Sequence, residues 1–337
     1  MRKDNVTWDE LPVSQASFAQ LDDETIMRFA RHASEQNRLP YGPGKDTAPA
    51  ILQKLDVVND DGEITRAAVL LFGKRPRKYI RGATVKIGRF GESAADLISH
   101  DIIEGNLVDM PDKIMDVLRT KYLHSPISYA GLERKEKLEY PEKALREVVL
   151  NALVHRDYGA DTDITISIFA DKIVIWNYGS LLSPLNVEML KKEHPSRRRN
   201  SLIANAFFRM GYIEAWGRGT LTIIEELRHA GFPTPEYREY AGGFEVTIFN
   251  KAIFAGVGEK VGEKVGEKVG EKVGTKITEN QRKIVGEIRK QPGISARSMA
   301  PIIGISLRKT EDNLKKLKEK GIIKRIGPAK GGYWEVK

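Results

Sequence analysis

Residues Val257 to Lys272 read Val-Gly-Glu-Lys four times without variation, and Val273-Gly274-Thr275-Lys276 is a worn fifth copy. A glycine at every fourth position costs a helix roughly 1 kcal/mol per turn. One valine in four residues cannot build a core, and a period of four is too short for a solenoid unit. Such a run joins folded parts without being one, so a domain ends near Phe254 and another begins near Ile277. Two readings of the run stay open: a flexible tether, or an amphipathic segment whose valine stripe pairs between chains. The chain thus divides into a connecting region over 1–130 packed on the next domain, a larger domain over 131–254, a linker over 255–276 and a small domain over 277–337.

Charge follows the same division. From Thr275 to Lys337 there are 16 Lys/Arg against 6 Asp/Glu, so this tail holds the whole surplus behind the net charge of +9 and the body before it sums to −1. Charge at that density in a small segment is the electrostatic footprint of a polyanion binder. The chain has no cysteine, which excludes a disulfide framework, a thiolate zinc site and a cysteine nucleophile and fits a reducing cytoplasm. No run of 18 apolar residues is present, so no membrane partner is expected.

In the tail, Thr278 can cap a helix over Glu279 to Lys290 whose Ile284, Val285 and Ile288 share a face. Ser295 caps a second helix through Ile303, Gly304 turns the chain, and Ser306 caps a third over Leu307 to Lys320. Residues Ile322 to Ile326 and Gly331 to Val336 then read as a hairpin. Three short helices and a basic hairpin resemble the winged helix-turn-helix family, in which the third helix enters the major groove of double-stranded DNA. That resemblance makes Arg308, Lys309 and Thr310 candidates for base contact and Lys315, Lys324, Arg325 and Lys330 candidates for phosphate contact.

The informative part of the body runs from Tyr140 to Phe249. Pro141 can open a helix over Glu142 to Arg156, with Leu145, Val148, Val149, Ala152 and Leu153 as its core stripe. On the same helix Glu147, Asn151 and His155 recur every fourth residue and share one face. A carboxylate one turn from a carboxamide suits a magnesium–phosphate site, although the same spacing also occurs on ordinary solvated stripes. Two strands follow, Asp163 to Phe169 and Lys172 to Trp176, the second running into Asn177-Tyr178-Gly179-Ser180. Gly217-Arg218-Gly219-Thr220 then opens a helix over Leu221 to His229, and Gly243 to Phe249 reads as a last strand. Gly-x-Gly before a helix sets free backbone N–H groups beside the positive helix end, the usual means of holding phosphate.

The order of these parts resembles the GHKL ATPases. The closer likeness is to a bacterial group of transcriptional regulators and RecG-related "ATP-dependent DNA helicases", Schlafen/Alba-type proteins with a GHKL-like domain and a C-terminal winged helix. It is carried by Arg146-Glu147-Val148-Val149-Leu150-Asn151-Ala152-Leu153-Val154-His155-Arg156-Asp157-Tyr158, by Ile175-Trp176-Asn177-Tyr178-Gly179-Ser180-Leu181, by Arg199-Asn200 and by Glu214-Ala215-Trp216-Gly217-Arg218-Gly219. The implied fold is α+β: a GHKL-like α/β sandwich, a mixed sheet with helices on one face, plus the C-terminal winged helix. The resemblance implies ATP and magnesium as cofactors, Glu147 as the water-activating base, Asn151 as magnesium ligand and Asn177 facing adenine. Gly179 would admit the base, Gly217, Arg218, Gly219 and Thr220 would wrap the phosphates, His155 and Arg199 would line the site, and Pro195 to Arg209 would form the ATP lid. Where the general pattern has an aspartate this chain has Asn177, which can accept a hydrogen bond but carries no charge.

Upstream, Leu21 to Gln36 and Thr47 to Leu55 read as helices, Ala67 to Phe72 as a buried apolar run, and Ala83 to Phe90 as a strand. Trp8-Asp9-Glu10-Leu11-Pro12 matches the junction that follows an Alba-type domain in the resembled group, so that domain is expected to be missing. Arg75, Arg77, Lys78 and Arg81 form a basic cluster, read as a solvated turn. There is no Walker lysine loop, so the motifs do not make a helicase. The expectation is a nucleotide-responsive DNA-binding transcriptional regulator, with a homodimer suggested by analogy; an ATPase in a DNA-processing or defence assembly and a degenerate ATPase fold serving as dimerisation scaffold are the alternatives.

Overall fold

Alternation builds the sheet at the centre of the body. In the computed structural model, which describes residues 6–38, 46–123, 127–130, 133–136, 138–214, 217–251, 279–290, 292–319, 322–326 and 333–336, the buried positions of the central strands are every second residue. The chain divides into two compact units, Met1–Gly262 and Glu263–Lys337. Residues 252–278, which include the Val-Gly-Glu-Lys run, lie outside the described residues.

The first unit comprises α1 (Asp23–Glu35), α2 (Ala48–Lys54), α3 (Arg66–Phe72), β1 (Thr84–Phe90), β2 (Leu97–Glu104), α4 (Met110–Val117), β3 (Ile127–Ala130), β4 (Glu133–Glu136), α5 (Glu142–His155), β5 (Ile164–Ile168), β6 (Lys172–Tyr178), α6 (Ser201–Arg209), α7 (Gly219–His229), β7 (Glu236–Tyr240) and β8 (Gly243–Phe249). Strands β3 and β4 form a separate hairpin. The other six make one mixed sheet in the order β2-β1-β5-β6-β8-β7, antiparallel throughout except for β1 beside β5. That parallel pair needs a crossover, and the intervening chain supplies one that includes α5.

Ile164, Ile166 and Ile168 of β5 and Ile173 and Ile175 of β6 are buried, as is the apolar stripe of α5. One core takes in these residues together with α1, α2 and α3, so β1 and β2, both from before residue 130, share sheet and core with the rest of the body. The apolar run of 67–72 is a fully buried helix, α3, started by Thr65, whose Oγ1 accepts from Ala68 N at 3.2 Å.

Sequence reasoning missed β2, α4, β7 and α6. The last is also a correction: of the segment 195–209 expected as lid, residues 201–209 are helix, with Ile203, Ala204, Ala206 and Phe207 in the core. Four apolar side chains at helical spacing gain more by burial than a mobile lid could.

The second unit is α8 (Glu279–Lys290), α9 (Ala296–Ile303), α10 (Leu307–Glu319) and a hairpin of β9 (Ile323–Ile326) with β10 (Tyr333–Val336). Ser295 Oγ accepts from Ser298 N at 3.1 Å, and Gly304, at φ +78°, makes the left-handed turn that lets α10 leave at an angle. Ile284, Ile288, Met299, Leu314, Leu317 and Ile323 are the heart of its core. No helix among the described residues is long and apolar enough to cross a membrane.

Candidate functional site

On α5 the stripe opposite the core carries Glu147, Asn151 and His155, and Asn151 Nδ2 donates to Glu147 Oε1 at 3.2 Å. That hydrogen bond leaves the carboxamide oxygen as the free hard-ligand end of Asn151. Helix α7 begins at Gly219, and a Cβ there would overlap Glu147 Oε1 and come within 3.1 Å of Asn151 Nδ2. Glycine is therefore what lets the positive end of α7 sit against the carboxylate. Burial pushes the Glu147 carboxyl above its ordinary range; the Asn151 hydrogen bond pulls against this and Glu214 adds to it. Burial also drives the His155 imidazole down to about 4, with Arg199, Arg198 and His194 adding to the effect, so the ring is neutral near pH 7.

The floor comes from β6. Its inward alternation, Ile173 then Ile175, places the next inward residue, Asn177, at 5% exposure among apolar neighbours. Asn177 Nδ2 donates to Tyr178 O at 3.3 Å. Gly179 follows at φ +113°, where a Cβ would meet Asp157 N at 3.1 Å and Arg199 Nε at 3.2 Å. Arg199 donates from Nη2 to Ser180 O at 2.7 Å and faces Asp157 Oδ2 at 3.5 Å. Asn200, fully buried, donates from Nδ2 to Val154 O and Arg156 O at 2.8 and 2.7 Å, closing the carbonyl end of α5.

Between Ser180 and Arg199 the chain loops along one side of the cavity. Gly217, at φ +68°, packs beneath it so closely that a Cβ would stand 2.7 Å from His194 O and 2.9 Å from Ser196 N. His194 Nε2 and Thr220 Oγ1 are hydrogen-bonded at 3.1 Å. The cavity measures about 300 Å³, and Glu147, Asn151, His155, Asn177, Gly179, Arg199, Gly217, Arg218, Gly219 and Thr220 all line it. Ala215 and Trp216, which belong to the last sequence motif, lie outside the described residues.

Sequence reasoning missed the apolar half of the cavity, from Leu185 and Leu190 of the loop and from Tyr237, Phe244 and Val246 of β7 and β8. The alternation of β8 was a usable signal for the last two. It also missed Asp9. That fully buried carboxylate accepts from Leu202 N and Ile203 N at 2.9 and 3.0 Å, and from Thr7 Oγ1 at 2.5 Å. It therefore caps α6 from outside, while burial raises its own pKa.

In the second unit Arg308, Lys309, Lys315 and Lys324 are exposed and Arg325 is half-buried, its guanidinium 4.9 Å from the Trp334 ring centre. Thr310 corrects the expectation of base contact. It is fully buried, and its hydroxyl donates to Ser306 O at 3.1 Å. The i, i+4, i+7 spacing with Leu314 and Leu317 turns it inward. Lys330 lies outside the described residues.

Two family models match the chain. Residues 161–248 match "Putative ATP-dependent DNA helicase recG C-terminal" and residues 277–324 match "Winged helix-turn-helix DNA-binding". The chain thus carries a RecG-C-terminal-like ATPase-type domain and a winged-helix DNA-binding domain, in agreement with the group the sequence resembles. Of the ten cavity positions expected from the sequence, seven fall inside the first match, whereas Glu147, Asn151 and His155 of α5 precede it. Among solved structures the chain is similar to the DIP2311 protein from Corynebacterium diphtheriae, at 15% identity and a TM-score of 0.57, over 98% of this chain and 64% of that one. That likeness concerns the fold alone, and the chain spans less than two thirds of the other protein's length. No match was found among curated proteins.

Proposed function

We propose that this protein is a nucleotide-responsive DNA-binding transcriptional regulator, whose body binds ATP with magnesium and whose winged helix binds double-stranded DNA. The observation that carries this reading is the Glu147–Asn151 pair seated against the glycine start of α7, in one cavity with Asn177. Carboxylate, carboxamide oxygen and a positive helix end together fit a metal-bound phosphate. Among the described residues no group of three histidine or carboxylate side chains is placed to hold a metal, so a magnesium ion here would depend on phosphate oxygens for further ligands. With Asn177 Nδ2 committed to Tyr178 O, its carboxamide oxygen is the end left to accept from an adenine amino group. Gly217, Arg218, Gly219 and Thr220 would hold the phosphates, with Arg199 and the neutral His155 along the wall.

The raised Glu147 carboxyl favours a second reading in which ATP is also hydrolysed, because a general base works best with a pKa nearer the working pH. Titrating ATP and magnesium calorimetrically into the intact protein, beside Asn151→Ala, tests the first reading. Heat that disappears in the variant supports it; no heat in either protein, both folded, ends it. Glu147→Ala then separates the two: a sensor keeps ATP binding and its effect on DNA affinity, whereas an ATPase loses phosphate release. Two chains on paired half-sites would complete the regulator, and a footprint on bound DNA reads that directly.

A further inference from the structure

Between Ile64 and Gly91 the body has eight Lys or Arg and no Asp or Glu, although the body as a whole is near neutral. The fold partly answers that charge: Arg77 pairs with Glu104, and Lys86 with Asp163 at 2.8 Å. Arg66, Lys78 and Arg81 instead line a depression of about 530 Å³, remote in lining from the nucleotide cavity, together with the rings of Trp8, Tyr79 and Tyr158. Arg81 faces Asp161 at 3.7 Å with both side chains exposed, a weak pairing. Among the described residues neither Arg66 nor Lys78 has a carboxylate within ion-pair distance.

The wall behind these cations is a stack of alternating kind. The Arg66 guanidinium lies 4.5 Å from the Trp8 ring centre, Trp8 stacks on Tyr158 at 6.3 Å, and the Arg156 guanidinium lies 5.0 Å behind Tyr158. Arg156 is fully buried. Its Nη2 donates to Ala160 O and Thr162 O, but Nε and Nη1 have no hydrogen-bond partner. A buried cation without an ion-pair partner is costly, and the carboxylates of Asp163, Asp157 and Asp161 answer its charge in part.

From this juxtaposition we infer that the depression is a second nucleic-acid site, which holds the phosphodiester backbone of a single strand on Arg66, Lys78 and Arg81. The rings are taken up in the stack, Trp8 between Arg66 and Tyr158 and Tyr158 between Trp8 and Arg156, so they set the cations in place, and the strand is met through its phosphates by the positively charged groove. The inference does not depend on the nucleotide cavity.

The test uses the full chain with the winged helix silenced by Arg308→Ala, Lys309→Ala and Lys315→Ala. A labelled single strand of about 12 nucleotides is titrated in, with a matched duplex and inorganic pyrophosphate as competitors. Adding Lys78→Gln and Arg81→Gln, both at exposed positions, is expected to weaken the remaining binding about tenfold and lower the salt slope by about 1.4. Adding Arg66→Gln weakens it further. The control Lys113→Gln/Lys143→Gln, on another face, is expected to leave it unchanged. Binding unaffected by the double variant, or weakened equally by the control, overturns the inference. So does displacement by pyrophosphate or duplex at lower concentration than by unlabelled strand.

Discussion

The body and the winged helix handle polar side chains in opposite ways. In the body, polar groups that hold the fold are taken out of water: Asn177, Asn200, Asp9 and Arg156 are all buried, and each is fixed by hydrogen bonds to backbone. In the tail, the buried set is almost wholly apolar, and Arg308, Lys309, Lys315 and Lys324 stand in solvent. Buried polar groups fix geometry but carry a large penalty if one partner is lost. Exposed cations give attraction to a polyanion while contributing little to stability. Stability and recognition are therefore entangled in the body and separable in the tail.

The largest effect that could break this contrast lies in the tail core. Leu317→Ala is expected to cost about 2–5 kcal/mol, comparable to the whole stability of a domain this small. Loss of both tail helicity and DNA binding, read by circular dichroism and gel shift, is the expected outcome; full retention of both would show that the small core is better buttressed than its residues suggest. Next is Asn200→Ala, which strips the carbonyl end of α5 of two buried donors. It should lower body stability by about 2–3 kcal/mol in urea titration and weaken nucleotide binding with it. Arg308→Ala/Lys309→Ala sharpens the other side: stability within about 0.5 kcal/mol of the parent, DNA affinity down about tenfold and a salt slope smaller by about 2. A melting shift as large as that of Asn200→Ala would erase the distinction.

A last effect, on stability alone, is one of pH. His155 is held at about 4 in the folded protein, below its ordinary 6.5, so the unfolded chain takes up that proton first. Its contribution is fully present above pH 6.5 and declines as pH falls towards 4. His155→Gln should flatten that part of the stability curve, and an unchanged slope would assign the dependence to other groups.

Much of the tail was legible in the sequence, because its caps are local. Ser295 and Gly304 act on residues within one turn of themselves. The helix α5 was legible for the same reason, its stripe being internal to 14 residues. Helix α6 was not, because the carboxylate that caps it sits at Asp9, 193 residues before Leu202. Strand β7 escaped because it is an edge of charged residues and tyrosines with only Tyr237 buried. Thr310 could have been placed from spacing alone; the family pattern for recognition helices outweighed the stripe that Leu314 and Leu317 make plain. The cavity's polar residues were visible as motifs, whereas its apolar wall depends on which strands meet, and no local pattern records that.

The loop along the cavity starts at Ser180 after β6 and ends at Arg199 before α6, and those two residues are tied to each other by the Arg199 guanidinium. Asn200 and Asp9 anchor the returning end to α5 and α6. A loop with its ends fastened together carries little further closure entropy. The loop is fastened along its length as well: Leu190 is buried in the core, Leu181 N donates to Glu239 Oε1 at 2.9 Å, and His194 meets Gly217 and Thr220. The side of the cavity that this loop supplies is therefore preorganised, its shape set by the fold before any ligand arrives.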